Sequence, residues 1–141
     1  MTDTALRPFE IALPIPVRTY DIDFAGIVSN IVYIRWLEDL RLAMLDAYFP
    51  LQTQVTDGIG PVLVSTQIEY KRPIRLFDKV IGRMWVSELG TTRCNLQAEF
   101  AANDVITTTA AQVTVFINTH TMRPVPIPAH LREQYQRMSG E

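Results

Sequence analysis

The sequence predicts an α+β fold in which a curled antiparallel sheet of five strands wraps around one long central helix. Two observations predict this class. Residues 33–48 place apolar side chains at helical spacing, and much of the remaining chain alternates apolar and polar residues with the two-residue period of strands. A single helix cannot bury its apolar face by itself, and an antiparallel sheet has one face to hide. The economical arrangement therefore packs the sheet on the helix.

The first strand is predicted over residues 9–18, where Pro14 and Pro16 interrupt an apolar run. Because proline cannot donate to a strand ladder, this segment suits the edge of a sheet. The helix follows an aspartate-rich turn, is expected to run for about four turns, and is ended by Pro50. Its apolar face comprises Tyr33, Leu37, Leu40, Met44 and Tyr48.

Four further strands are predicted, three of them as a meander joined by tight turns. They cover residues 62–70, 79–87, 92–101 and a long segment from 105 to 117. The alternation of apolar and polar residues predicts half-buried strands, and this alternation is clearest for residues 92–101. In the last strand Val105, Val113, Val115 and Ile117 share one face. The proline-rich tail leaves room for a terminal helix.

Length and composition narrow the class of protein. A chain of 141 residues, 48% hydrophobic and 20% charged, is expected to form a single domain over residues 1–141. A net charge of −2 argues against wholesale binding of nucleic acid or membranes. The N-terminus lacks the pattern of a signal peptide, and no apolar run approaches the roughly 20 residues of a membrane span. We therefore expect a cytoplasmic protein.

Few residues are available for metal or thiol chemistry. The chain has one cysteine, Cys94, and two histidines, His120 and His130. This argues against a zinc centre and against a histidine-dependent triad. We expect no metal and no cofactor. The alternation places Cys94 on an apolar strand face, which favours a buried thiol over a nucleophile.

Two aspartates, Asp21 and Asp23, stand just before the apolar helix. A carboxylate next to an apolar run must be solvated, paired or used in chemistry, because burying it bare is costly. Aspartate before a helix is commonly a cap. The residues alone leave capping and catalysis equally open for Asp23 and favour capping for Asp21. Gly26 permits a backbone conformation that other residues resist.

These residues carry a resemblance to a known family. The pattern D-x-D-x-A-G-I-V at 21–28, followed by Y-x-R-W-x-E at 33–38, resembles the hotdog-fold thioesterases of the 4-hydroxybenzoyl-CoA thioesterase-like group. The segments YKRPIR at 70–75 and RPVPIPAHLRE at 123–133 are similar to that group as well. The resemblance implies a hotdog fold and a hydrolase acting on acyl-CoA or a related acyl carrier. It also implies that Asp23 is the catalytic carboxylate, as base or nucleophile, with coenzyme A present only as part of the substrate.

The remaining site assignments follow from this resemblance and from the helix start. Backbone N–H groups at Asn30 and Ile31 can hold the thioester carbonyl oxygen as charge develops on it. The expected pocket residues are Val28, Tyr33 and Leu37. The cations expected to meet the phosphates of coenzyme A are Lys71, Arg72 and Arg75. For any one of these cations, a solvated strand end is the commoner explanation.

Departures from the family pattern keep an alternative open. Relatives often carry an aromatic residue followed by histidine or tyrosine where this chain has Ser29 and Asn30. The alternative is a non-catalytic acyl-thioester-binding or oligomerisation module. A hotdog dehydratase would need a histidine–carboxylate pair, and His120 and His130 lie in the wrong segment. The resemblance also implies a homo-oligomer, a dimer or homotetramer, with the basic segment 71–83 of one chain near Asp23 of its neighbour.

Overall fold

A computed structural model describes residues 7–140 and shows a five-stranded antiparallel sheet packed around one long helix. This is the predicted fold class. The elements, in chain order, are β1 (Ile11–Ile15), α1 (Val32–Tyr48), α2 (Leu51–Asp57), β2 (Ile59–Tyr70), β3 (Val80–Leu89), β4 (Arg93–Ala102), β5 (Val105–Asn118) and α3 (Ala129–Met138). A single 3₁₀ turn, Thr19–Asp21, precedes α1. The strand order across the sheet is β1-β3-β4-β5-β2.

The core forms where α1 packs on the sheet. The predicted apolar spacing is confirmed, since Tyr33, Leu37, Leu40 and Met44 are buried. They pack in one cluster with the buried side chains of the sheet, among them Met84, Leu96 and Phe100. Burying one large apolar side chain contributes about 1.5–3 kcal/mol. The burial of these side chains holds α1 across the sheet and thereby sets the position of the N-terminal end of the helix.

The two edge strands differ in how they are covered. β1 pairs only with β3 and is the predicted edge strand, with Pro14 opposite Ile81. β2 lies at the other edge and pairs only with β5. The prediction that residues 62–70 form a half-buried strand is wrong for most of that length, because residues 62–67 are exposed on both faces. The reason is that α1 packs mainly over the β1 and β3 side of the sheet and leaves residues 62–67 of β2 uncovered.

β3, β4 and β5 form the predicted antiparallel meander. On β4 the alternation is confirmed, since Cys94, Leu96, Ala98 and Phe100 are all buried. On β5 the face turned to the core carries Thr108, Ala110, Gln112, Thr114 and Phe116. The face of Val113 and Val115 is only half buried. Apolar character therefore does not mark the buried face of β5.

Two short helices complete the fold. The sequence did not predict α2, which begins directly after Pro50 and buries none of its residues. Leu131 of α3 is buried in the core cluster and lines a small cavity together with Met44 and Tyr48, so α3 lies at the C-terminal end of α1. Within residues 7–140, no helix is long and apolar enough to cross a membrane.

Candidate active site

Asp21 anchors the turn before α1. It is buried, with 3% of its surface exposed. Its Oδ2 accepts a hydrogen bond from the backbone N–H of Arg18 at 2.9 Å. Its carbonyl oxygen accepts another from the N–H of Ser29 at 2.9 Å. The first bond closes the local turn before Asp21 and the second joins the chain on either side of the Asp23 loop, so Asp21 has a structural role.

Asp23 begins a tight loop that ends at Ile27. The N–H of Asp23 donates to the carbonyl oxygen of Ile27 at 2.8 Å, and the N–H of Gly26 donates to that of Asp23 at 3.0 Å. The carboxylate Oδ1 accepts a hydrogen bond from the N–H of Ala25 at 2.8 Å. Among residues 7–140, Oδ2 has no hydrogen-bond partner. The half-buried carboxylate thus braces its own loop with one oxygen and leaves the other available for chemistry.

Gly26 adopts a φ of +80°, in the left-handed region that favours glycine. A Cβ added at this position would meet no atom within 4 Å. The need for glycine therefore comes from the backbone conformation and not from crowding.

The start of α1 offers unpartnered donors. No side chain caps this end of the helix. Within the described part of the chain, the N–H groups of Asn30 and Ile31 have no hydrogen-bond partner, whereas that of Val32 donates to the carbonyl oxygen of Ser29 at 2.9 Å. Unpartnered N–H groups at a helix N-terminus carry partial positive charge. They can hold an oxygen atom on which negative charge develops.

A surface cavity of about 260 Å³ opens beside this helix start. Its lining residues are Ile27, Val28, Asn30, Tyr33, Tyr70, Lys71, Arg72 and Pro73. Two of the three expected pocket residues, Val28 and Tyr33, line this cavity. The third, Leu37, is fully buried in the core and does not reach the cavity. Asp23 is not among the lining residues either, although its loop ends at one of them, Ile27.

The first part of the basic segment, residues 71–75, is fixed against the helix start of its own chain. The N–H groups of Lys71 and Arg72 both donate to the carbonyl oxygen of Thr107, at 2.9 and 3.0 Å. The N–H of Val28 donates to the carbonyl oxygen of Ile74 at 2.8 Å. These backbone bonds place two of the predicted cations at the rim of the cavity.

The cations of this segment have no acidic partners within residues 7–140. Lys71, Arg72 and Arg75 are exposed, and none of them forms an ion pair there. Arg75 lies in the following turn, where its N–H donates to Oδ2 of Asp78 at 2.8 Å, and it does not line the cavity. Two of the three cations therefore border the cavity, and their charge is available to an anion.

Two tyrosines form one wall of the cavity. Burial raises the pKa of Tyr33, whose hydroxyl bonds to Thr108, and burial raises the pKa of Tyr70 as well. The two rings meet edge to face, with centroids 5.1 Å apart. The hydroxyl of Tyr70 donates to the carbonyl oxygen of Asn30 at 3.0 Å. This contact was not predicted from the sequence, because nothing in a strand pattern indicates which loop its last side chain will reach.

The contacts of Cys94 and Glu38 favour structural roles over catalytic ones. Burial raises the pKa of Cys94 to about 12, so its thiol is not a nucleophile near neutral pH. Glu38 pairs with Arg41 one helical turn later, and Arg41 also donates to the side-chain oxygen of Gln112 at 3.1 Å. In residues 7–140 no group of three or more histidine, cysteine, aspartate or glutamate side chains could hold a metal ion.

Comparison with known proteins identifies related folds. The model of the thioesterase-like superfamily matches residues 17–135. No curated protein matches the sequence. A DHNA-CoA thioesterase from Staphylococcus aureus is 21% identical, with 91% of this chain and 89% of that chain covered and a TM-score of 0.80.

Two further solved structures match over nearly their full length. A thioesterase from Thermus thermophilus, complexed with coenzyme A and Zn, is 23% identical, with 99% and 98% of the two chains covered and a TM-score of 0.81. A thioesterase-superfamily protein from Jannaschia sp. CCS1 is 20% identical, with 96% and 97% covered and a TM-score of 0.84. At these identities, the structural matches show a shared fold.

Proposed function

Because this chain belongs to the thioesterase-like superfamily and has the hotdog fold, we propose that it hydrolyses acyl-CoA thioesters. One observation carries the proposal. Asn30, whose N–H is unpartnered, lines a cavity that is rimmed by Lys71 and Arg72, and the unpartnered N–H of Ile31 follows it in the chain. A thioester of coenzyme A needs a donor pair for its carbonyl oxygen and cations for its phosphates, and this cavity has both within one chain.

In the proposed reaction, the carbonyl oxygen of the thioester accepts hydrogen bonds from the N–H groups of Asn30 and Ile31. Asp23 takes a proton from a water molecule as that water attacks the carbonyl carbon. Negative charge moves to the carbonyl oxygen, where the two N–H groups and the helix dipole stabilise it. The C–S bond then breaks, the carboxylic acid forms, and the coenzyme A thiolate leaves and takes up a proton.

Asp23 could instead attack the carbonyl carbon directly. Expulsion of the thiolate would then leave an anhydride between Asp23 and the acyl group, which water hydrolyses in a second step. The free Oδ2 suits either role, because Oδ1 stays bonded to Ala25 while Oδ2 reacts.

The coenzyme A portion is proposed to lie along the basic segment. Phosphate groups form strong charge-assisted hydrogen bonds with arginine and lysine. Two of the similar structures support this choice of ligand, since the Thermus thermophilus thioesterase and a hypothetical protein from Staphylococcus aureus were each solved with coenzyme A. The latter is 14% identical, with 99% of this chain and 88% of that chain covered and a TM-score of 0.84.

The second candidate function is a module that binds acyl thioesters without hydrolysing them. The bond between Oδ1 of Asp23 and the N–H of Ala25 favours it, because a loop-bracing role alone would account for that carboxylate. Position 30 also carries an asparagine whose side chain has no hydrogen-bond partner among residues 7–140. In this alternative the cavity and its cations remain, and turnover is lost.

We also propose that the protein is a homodimer, assembled through β2. The strand has 12 residues, and its outer edge is unpaired within the described chain. Val62, Leu63 and Val64 along it are 38%, 37% and 52% exposed. A long apolar edge is a template for pairing with another strand, and an antiparallel second copy of β2 would continue the sheet. Association of such dimers into a homotetramer remains a prediction.

A site shared between two subunits remains a prediction. The basic segment was expected near Asp23 of the neighbouring chain, and within its own chain the same segment lies beside the helix start. The partner is therefore not proposed as the sole source of cations for the oxyanion donors. Its proposed contribution is to cover the open side of β2 next to the cavity.

A panel of short-chain, long-chain and aromatic acyl-CoAs tests the proposal. Each is incubated with the protein, and free thiol is measured with a chromogenic disulfide reagent while binding is measured by calorimetry. Thiol release from at least one of them is expected. Binding without release would establish the module instead, and neither binding nor release would contradict both functions.

A further inference from the structure

The hydroxyl of Tyr70 bridges the end of the edge strand and the loop before the central helix. Tyr70 is the last residue of β2, and Asn30 lies two residues before α1. The hydroxyl donates to the carbonyl oxygen of Asn30 at 3.0 Å. No side chain caps α1 at this end, so this bond is a side-chain anchor on an otherwise uncapped helix start.

The carbonyl that accepts the Tyr70 hydrogen bond belongs to the same peptide unit as the N–H of Ile31. The C=O of Asn30 and the N–H of Ile31 share one planar trans peptide, in which the two bonds point in opposite directions. A hydrogen bond that fixes the direction of the C=O therefore fixes the direction of the N–H. That N–H has no hydrogen-bond partner within residues 7–140. Because the Tyr70 hydroxyl bonds to the C=O of the same trans peptide, the N–H is directed away from that hydroxyl.

Tyr70 is itself held in place from two sides. Its ring packs edge to face on Tyr33, with centroids 5.1 Å apart, and Tyr33 is buried in the core. The chain immediately after it is tied down, since the N–H groups of Lys71 and Arg72 both donate to the carbonyl oxygen of Thr107. The Tyr70 hydroxyl is therefore held in a fixed position where it bonds to the Asn30 carbonyl oxygen.

We propose that Tyr70 is a positioning residue that orients the Asn30–Ile31 peptide so that the N–H of Ile31 serves as an oxyanion donor. The inference rests on the proposed thioesterase function. Preorganisation of this kind matters because a donor that must reorient during the reaction loses part of its stabilising effect on the transition state. Tyr70 acts through the peptide and does not itself touch the reacting carbonyl.

The test uses Tyr70→Phe, which removes only the hydroxyl, with Tyr48→Phe as the matched control. Tyr48 lies in the last turn of α1, at the other end of the helix, and its hydroxyl has no partner among residues 7–140. With the best acyl-CoA of the panel, Tyr70→Phe should lower kcat by about 3- to 10-fold, the range expected for one neutral hydrogen bond. The KM should stay within about twofold, and Tyr48→Phe should match the wild type in both constants.

A second measurement does not depend on turnover. The ¹⁵N order parameter of the Ile31 amide should fall in Tyr70→Phe from about 0.85, typical of rigid backbone, toward the flexible range near 0.6. Light scattering should give the same oligomeric state for both variants and the wild type.

Three results would overturn the inference. The first is an unchanged order parameter at Ile31, whatever the activity. The second is a raised KM with unchanged kcat, which would make Tyr70 a substrate-contact residue. The third is an unchanged kcat in Tyr70→Phe while the wild type hydrolyses the substrate, which would leave the proposed function standing. Absence of turnover in the wild type would instead contradict the proposed function, and the catalytic part of this inference with it.

Discussion

The backbone N–H of Val28 donates to the carbonyl oxygen of Ile74 at 2.8 Å. This bond joins the chain that follows the Asp23 loop to the basic segment that follows β2. Asp23, the N–H groups before α1 and the cations of the basic segment thus lie on neighbouring segments of one chain. Because they lie on different segments, each can be altered separately, and the proposed roles predict different kinetic effects.

Asp23→Asn should lower kcat by roughly 100-fold or more, the contribution typical of a general base. Asparagine keeps the acceptor for the N–H of Ala25, so the loop should persist and the melting temperature should change little. Stopped-time thiol-release assays and thermal unfolding measure the two quantities. The matched control is Asp21→Asn, which can keep its acceptor for Arg18 and should cost far less activity. Equal losses in the two variants, or near-normal turnover in Asp23→Asn, would contradict the catalytic assignment.

Gly26→Ala should destabilise the fold by about 1 kcal/mol, because alanine is strained at positive φ. The added Cβ meets no atom within 4 Å, so no steric cost adds to this strain. The turnover rate should fall as well, since the loop carries Asp23. Gly58→Ala is the control, because Gly58 also has a positive φ of +68° but caps α2 away from the cavity. Gly58→Ala should lose stability and keep its rate. If both glycine variants behave alike in turnover, the loop geometry is not linked to catalysis.

Arg72→Gln should raise the KM for an acyl-CoA by about 5- to 10-fold with little change in kcat, because it removes a charge-assisted contact with phosphate. The difference from the wild type should shrink as salt concentration rises. An acyl-pantetheine substrate, which lacks the nucleotide phosphates, should be hydrolysed equally by both proteins. Arg123→Gln removes an exposed cation beyond the far end of β5 and serves as the control. An equal effect of Arg72→Gln on the pantetheine substrate would rule out a phosphate contact.

Val64→Lys should weaken self-association by at least about 10-fold, because a lysine on an edge strand opposes strand pairing. Val64 is 52% exposed on β2, so the substitution should leave the folded monomer intact. Sedimentation velocity over a concentration series measures the dissociation constant. Val55→Lys, on α2 and 72% exposed, introduces the same charge elsewhere and should associate like the wild type. A wild-type monomer at micromolar concentration would refute assembly through β2.

Cys94 should make stability depend on pH in the alkaline range. Burial raises its pKa from 9.0 to about 12, so the native thiol stays protonated where the thiol of the unfolded chain ionises. The contribution of Cys94 to the free energy of unfolding is fully present below about pH 9. It declines as the pH rises toward 12, by up to about 1.4 kcal/mol per pH unit. Urea unfolding at pH 8, 9 and 10 should show a steeper loss for the wild type than for Cys94→Ala. Parallel pH profiles for the two proteins would mean that the pKa of this thiol is the same in the folded and unfolded chains.

The periodic elements of this fold could be predicted from local pattern. The apolar spacing of α1 and the alternation on β3 and β4 each report which side of one element is buried, and a contiguous segment carries that information. The same reasoning fails for β2 and β5. Residues 62–67 alternate like a half-buried strand but lie at an uncovered edge, and β5 turns threonines and Gln112 toward the core.

The sequence by itself determined the fold class, the position of the central helix and the placement of Asp23 and Gly26 in the turn before it, because these depend on neighbours along the chain. Only the tertiary structure decided that the basic segment borders the helix start of its own chain, and that Tyr70 reaches Asn30 across 40 positions of sequence. Such contacts depend on which strand lies at the edge of the sheet and how far the helix covers it. Both are properties of the packed whole, which no single segment encodes.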